Sequence, residues 1–349
     1  MRRCSRLFPL VLLILPGCGG GGGSGAANGG GNGLPGGPGA LSASPIAVAA
    51  ITDLESLGAM NPPGHTIPTD HVYLYYVPVN FPPAQPGGTP AGPWPVLPVY
   101  APGSGKVVWI ISSSGPATDV KAMVQMTGEF SYYLDHVILD PGIQVGSAVT
   151  AGQRVGQTGP YSGAVDLGVV YTAVTLPGFV NPARYEGQTL HTDSPYKYFT
   201  EPLKSQLYGL VRRNAADKDG RIDYDLRGRL VGNWFHESVA VADSMGPSAW
   251  PKQLAFCPDS NNPAQPRVTL GGYGGLLGKW KPSPGDPDPA QVSVASGKVA
   301  YRLLYLGDNS RAGLMIVQVL DEVRIKVQVF PGSTADAADF DASALVYTR

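Results

Sequence analysis

Two histidines and an aspartate, His65, Asp70 and His71, crowd the entrance to the Tyr- and Val-rich run Val72 to Val77. Imidazole nitrogens and carboxylate oxygens are the donors of a catalytic zinc, which takes three protein ligands and keeps a fourth position for water. No other stretch of the chain gathers such donors as densely. The same residues also have a plainer use. A histidine after glycine in a proline-rich turn caps the turn or faces solvent, an aspartate closes a turn, and His71 is then a surface residue of the strand.

Donors from one segment need a frame that brings others to them. Between Tyr133 and Val169 short apolar runs alternate with glycines: Y-L-D-H-V-I-L-D, then V-G-S-A-V-T-A-G-Q-R-V-G-Q-T-G, then A-V-D-L-G-V-V. These runs are too short for helices and are bounded by turn residues, so they read as tightly connected strands. Val145, Val149 and Val155 are expected inside. Gly146, Gly152, Gly156 and Gly159 are expected at tight turns or close backbone approaches. Further strands are expected over Val72 to Val77, Val107 to Ile111 and within Met123 to Tyr133, with a Pro- and Gly-rich loop over 78–98.

The stretch resembles the core of the lysostaphin/LytM-type zinc endopeptidases, which cut peptide cross-links in bacterial cell walls. The matching positions are Val145-Gly146, Val149, Gly152-Gln153, Val155-Gly156 and Thr158-Gly159, supported upstream by the segment from Pro98 to Trp109. The resemblance covers roughly a third of the chain. It implies an antiparallel β-sheet domain, zinc as the metal, and His136 as a catalytic histidine. It also places a third metal ligand at Asp166, where the family has the second histidine of a His-x-His strand, while Ala164 replaces the first. The family's first metal motif is His-x3-Asp. Here His65 and Asp70 are one residue too far apart and His71 is adjacent, so either a bulge absorbs the extra residue or His71 takes the aspartate's place.

The candidate metal set is therefore His65, Asp70, His71 and Asp166. A carboxylate at position 166 adds negative charge and harder oxygen, which shifts metal preference. Ala164 can do no acid–base chemistry, and losing one stabilising group costs several kcal/mol in the transition state. Three functions follow. One is an active endopeptidase with a variant metal site. A second, favoured by the loss at Ala164, is a non-catalytic relative that binds cell-wall peptide or regulates a hydrolase. The third is a structural or partner-binding lipoprotein.

Other candidate chemistry is weaker. Asp217 to Asp223 is similar to the middle of a calcium loop, but Ala215 and Leu226 stand where ligands are needed, so it reads as a turn. Cys257 has no base beside it and reads as a small core residue. His191 and His236 carry no assignment.

Arg2, Arg3 and Arg6 precede the apolar run Leu7 to Leu15, a charged and then a hydrophobic region too short to remain as a membrane span. The sequence Leu15-Pro16-Gly17-Cys18 resembles a bacterial lipobox, which implies lipidation of Cys18 and a membrane partner through that lipid; Gly19, in place of an aspartate that would signal inner-membrane retention, points in a cell with an outer membrane to that membrane, facing the periplasm. The expected organisation is a signal over 1–18, a Gly-rich tether over 19–44, a peptidase-like β domain over 45–195, a linking helix over 196–216 and a second β unit over 217–349. That last unit offers eight short strand candidates, over 230–236, 253–257, 268–270, 278–281, 291–294, 300–306, 313–319 and 323–330, which suggests a small barrel or sandwich. The fold class is mainly β. With 25 Lys and Arg against 26 Asp and Glu, the net charge of −1 gives no footprint for nucleic acid. With Cys4 removed and Cys18 acylated, Cys257 has no partner for an intrachain disulfide.

Overall fold

The computed structural model describes residues 34–77, 94–112, 118–159 and 163–349. The signal segment, Cys18, most of the glycine tract and most of the expected loop at 78–98 lie outside the described residues. The first part of the chain makes ten strands of one sheet: β1 (Asp53–Glu55), β2 (Val72–Tyr75), β3 (Pro98–Tyr100), β4 (Gly105–Ser112), β5 (Val120–Gln125), β6 (Phe130–Leu139), β7 (Ala148–Val149), β8 (Arg154–Thr158), β9 (Ala164–Tyr171) and β10 (Thr192–Asp193). Their order is β1-β2-β9-β6-β5-β4-β7. Strand β10 pairs with β9, and β3 joins through β8 to β6. Every pairing is antiparallel.

Strand alternation explains how β9 serves both a core and a site. Val165, Leu167 and Val169 point into the apolar core and are fully buried. Ala164, Asp166 and Gly168 face the other way. Gly168 leaves room for the ring of Tyr133, since a Cβ there would fall 2.0 Å from the ring's Cζ. Val149 and Val155 are buried as expected, but Val145 is 58% exposed. It sits in the turn before β7 rather than on a strand, so alternation does not apply to it.

The second part is a closed eight-stranded antiparallel barrel: β11 (Gly232–His236), β12 (Gln253–Pro258), β13 (Pro266–Gly271), β14 (Leu277–Pro282), β15 (Lys298–Leu304), β16 (Arg311–Val319), β17 (Arg324–Pro331) and β18 (Leu345–Thr348). Seven of the eight expected strands are present. The eighth, over 291–294, is replaced by a 3-10 turn at Val294–Ser296 that Ser293 and Ser296 cap reciprocally. The strand that closes the barrel is β18, which pairs with both β17 and β11 and so removes both sheet edges. Trp234, Phe256, Tyr301 and Met315 fill the interior with no solvent exposure.

Sheet and barrel are not loosely joined. Leu34–Arg349 forms one compact unit. Phe235, Val239, Ala255 and Cys257 on the outside of the barrel belong to the same apolar cluster as Leu54, Leu57, Met60 and Ile67. Glu55, 3% exposed, accepts hydrogen bonds from Ser260 Oγ at 2.7 Å and Asn261 Nδ2 at 3.0 Å across the joint.

The helix expected over 196–216 is shorter. After α1 (Gly187–Leu190), the segment forms a 3-10 turn at Pro195–Tyr198 and then α2 (Leu203–Leu210), because Pro202 cannot supply the amide that a helix running through it needs. Beyond it Arg213 is buried and donates to the carbonyls of Asp217 and Ser260, at 2.7 and 2.6 Å. Folded structure also begins before residue 45. Leu41 is fully buried and its amide donates to the Tyr198 carbonyl at 2.9 Å, so an apolar side chain ends the glycine tract inside the core.

Candidate functional site

The site lies where β2, β9 and β6 run side by side. The register sets Tyr73 opposite Asp166 and Tyr75 opposite Ala164 on one side of β9, and Asp135 opposite Asp166 on the other. His136 follows at a bulge. Between the pairs Val120–Val137 and Ala122–Leu134, β6 carries one residue more than β5. His136 has φ 61°, and its amide donates to Asp135 Oδ1 at 2.8 Å. Histidine tolerates this left-handed backbone better than most residues, and the bulge turns its ring toward β9.

The side chains form a chain of alternating carboxylates and imidazoles. Asp70 Oδ1 lies 3.1 Å from His71 Nδ1, and His71 Nε2 lies 3.3 Å from Asp166 Oδ2. The same Asp166 oxygen is 3.7 Å from His136 Nε2, and His136 Nδ1 is 3.0 Å from Asp119 Oδ2. Each ring is held at Nδ1 by its own carboxylate and turns Nε2 to Asp166. Tyr73 adds its hydroxyl 3.2 Å from His71 Nε2. His65 packs edge-on to His71 with ring centroids 5.1 Å apart, and makes no side-chain hydrogen bond among the described residues.

Asp70 is the anchor of this arrangement. Oδ1 faces His71 Nδ1 and accepts from the Tyr133 hydroxyl at 2.8 Å. Oδ2 accepts from Gln188 Nε2 at 3.1 Å and Thr189 Oγ1 at 2.8 Å. A carboxylate has about four acceptor positions, and all are taken.

Electrostatics divides the groups by role. Burial alone would raise the Asp70 carboxyl, but the hydrogen bond from His71, the Lys121 ammonium and the Thr189 hydroxyl outweigh it and hold it far below the usual carboxylate range. Burial raises Asp166, and Asp135 adds to the rise against the pull of His71, His136 and Lys121. Burial opposes a charge on His136, yet the hydrogen bond to Asp119 and the neighbouring Asp166 and Asp135 win and lift it to about 9. Burial, helped by His71, lowers His65 to about 3 and keeps it neutral. Tyr73 and Tyr133 are pushed well up by burial and nearby carboxylates, so both stay as hydroxyl donors.

The raised His136 value has a direct consequence. Its folded-state charge contributes stability that is complete below the ordinary histidine pKa of about 6.5 and is lost as pH climbs through about 9. In chelator-treated protein, NMR of the His136 ring is expected to report a midpoint near 9, and Asp119→Asn to bring it down toward the ordinary value. A wild-type midpoint at or below 6.5 would remove the Asp119 pairing.

The structure thus brings together His71, Asp166 and His136, residues far apart in the chain, with Asp70 behind His71 and His65 beside it. Sequence reading missed Asp119, Tyr73 and Tyr133. Tyr133 lies in the stretch that carries the family pattern. Asp119, alone after a Ser- and Gly-containing segment, gave no signal. His136 is held by Asp119 through its ring and by Asp135 through its amide, while Asp140 pairs with Arg154 at 3.0 Å. In the calcium-like segment, Asp219 accepts from the Tyr208 hydroxyl and Asp223 from the Gly178 amide and Arg221, so these carboxylates serve the turn.

The expected zinc set does not fit as arranged. Asp70 has no lone pair left, and His65, with its ring centroid 5.1 Å from that of His71, joins no cluster of three metal-type donors among the described residues. That leaves His71 and Asp166, two donors where a catalytic zinc takes three. Their separation of 3.3 Å suits two ligands of one ion, and Asp166 Oδ1 is buried with no hydrogen-bond partner among the described residues. Among the described residues no third His, Cys, Asp or Glu donor completes a cluster with these two.

No family model matches the chain, and no curated protein matches it. Solved structures match over part of it. Csd3 of Helicobacter pylori is 18% identical over 38% of this chain and 32% of its own, with a TM-score of 0.27. A zinc-containing peptidase from Vibrio cholerae is 16% identical over 38% of this chain and 37% of its own, at 0.28. The catalytic domain of lysostaphin from Staphylococcus simulans is 16% identical over 37% of this chain and 86% of its own, at 0.24. The chain spans about a third of the length of the first two. These are likenesses of part of the fold.

Proposed function

We propose that this chain is a cell-envelope lipoprotein whose peptidase-like sheet holds cell-wall peptide, or docks a hydrolase, without cutting the peptide itself. The observation that carries the reading is the saturation of Asp70: the carboxylate expected to hold a metal is spent on His71, Tyr133, Gln188 and Thr189. Ala164, opposite Tyr75, supplies no imidazole where the resembling endopeptidases have one. What remains suits binding. The His136 ring, 25% exposed, offers its Nε2 side to a peptide carbonyl or carboxylate, and Tyr73 and Tyr75 stack at 5.7 Å on β2. Attachment through Cys18 would keep the sheet close to the wall, the Gly-rich tract supplying reach.

The test is incubation of the purified protein with insoluble peptidoglycan, with and without added zinc. The protein is expected to sediment with the wall and to release no soluble fragments detectable by chromatography. Steady release of cross-link cleavage products would overturn the non-catalytic reading. Failure to sediment, with no release, would leave a docking role for a hydrolase as the half to pursue by co-purification from the envelope.

A further inference from the structure

The geometry points to a divalent-cation site at Asp119, Asp135 and His136, distinct from the set of His65, Asp70, His71 and Asp166 expected from sequence. One donor atom from each of these residues lies within 4.8 Å of the others. Asp119 stands just ahead of β5, while Asp135 and His136 form the bulge of β6, so the bulge is what closes the cluster. His136 Nδ1 and Asp119 Oδ2 are 3.0 Å apart, close to the spacing of two adjacent ligands on one ion with bonds of about 2.1 Å.

A second observation supports this cluster, in which the donors of three residues, not two, come together. The Asp119 side chain is 2% exposed, and its Oδ1 has no hydrogen-bond partner among the described residues. A buried carboxylate oxygen without a partner is costly, and a cation satisfies it. Local charge points the same way. Asp119, Asp135 and Asp166 surround one imidazole, and the nearby Lys121 ammonium is engaged over the Tyr133 ring at 4.0 Å. The ion takes the place of the His136 Nδ1 proton, which leaves to solvent. Two carboxylates and one imidazole form a mixed oxygen and nitrogen set, which suits Zn2+ or Mn2+ better than Ca2+ or Mg2+. The inference does not depend on whether the sheet cuts peptide.

Titration calorimetry on chelator-stripped full-length protein tests it, with Zn2+ and Mn2+ as probes. One ion per chain is expected, with Asp119→Asn weakening binding by roughly 10–100-fold or more and His71→Gln leaving it unchanged. The reverse pattern, loss with His71→Gln and none with Asp119→Asn, would place the ion between His71 and Asp166 and overturn the assignment. No stoichiometric binding of either ion would overturn it too. Since a variant can fail to fold, the wild type gives a second reading. Mn2+ should broaden the His136 ring signals at concentrations that leave those of His236, on β11 of the barrel, sharp. Equal broadening of both would count against the site.

Discussion

Asp70→Ala is expected to lower the unfolding free energy by about 3–5 kcal/mol, the usual cost of removing one partner from a buried charged network. Alanine would leave the His71 ring, the Tyr133 hydroxyl, the Gln188 amide and the Thr189 hydroxyl without their acceptor in a largely buried pocket. The wild-type contribution follows the depressed Asp70 pKa. It is complete above the ordinary aspartate value of about 3.9 and fades as pH falls below it toward the folded-state value. Asp70→Asn should cost less, because one oxygen still accepts. Urea unfolding at neutral pH and at pH 3 measures both. A loss under about 1 kcal/mol for Asp70→Ala at neutral pH would mean that the four donors find water instead, and the anchoring role would fall.

Trp234→Ala should be as damaging at the other end of the molecule, by about 3–5 kcal/mol. The indole is fully buried at the start of the barrel and its Nε1 donates to the Leu230 carbonyl at 2.8 Å. The Arg349 guanidinium lies 3.7 Å above its ring and donates to the carbonyls of Leu226, Leu230 and Val231. Truncation opens a cavity and strips a buried cation of its π partner. Trp234→Phe keeps most of the volume and a ring face, and should cost about 1–2 kcal/mol for the lost hydrogen bond. Thermal unfolding of the three proteins decides it. Equal effects for alanine and phenylalanine would show that the indole hydrogen bond, not packing, carries the stability. Because Phe235, next in the strand, packs outward into the core shared with the sheet, unfolding of barrel and sheet is expected in one transition.

The sequence was most readable where local pattern and burial agree. Short apolar runs between glycines became the strands from β6 to β9, and seven barrel strands fell where alternation put them. It failed where a neighbour in space overrode the local pattern. Val145 looked like a core residue by spacing and is exposed, because its segment is a turn. Gln291 to Val294 looked like a strand, but a reciprocal serine cap bends it. Leu345 to Thr348 was not among the expected strands: four β-forming residues after an Asp- and Ala-rich approach are short on their own, and they pair with the barrel strands on either side.

The sequence by itself determined a mainly β chain and the residue types available for chemistry. It also determined that position 164 carries an alanine, which has no acid–base group, since a side chain's identity does not depend on the fold. Tertiary structure alone decided which of those residues meet. Antiparallel register put Asp166 between Tyr73 and Asp135, and a one-residue bulge aimed His136 at it. Asp119 entered the site from a segment with no pattern of its own. The division between Asp70 and His71, adjacent in the chain, was also spatial. Tyr133, Gln188 and Thr189 arrive from elsewhere to fill every acceptor position of Asp70, which leaves His71 to face Asp166. Hydrogen-bond saturation is set by neighbours distant in sequence, and no spacing along the chain encodes it.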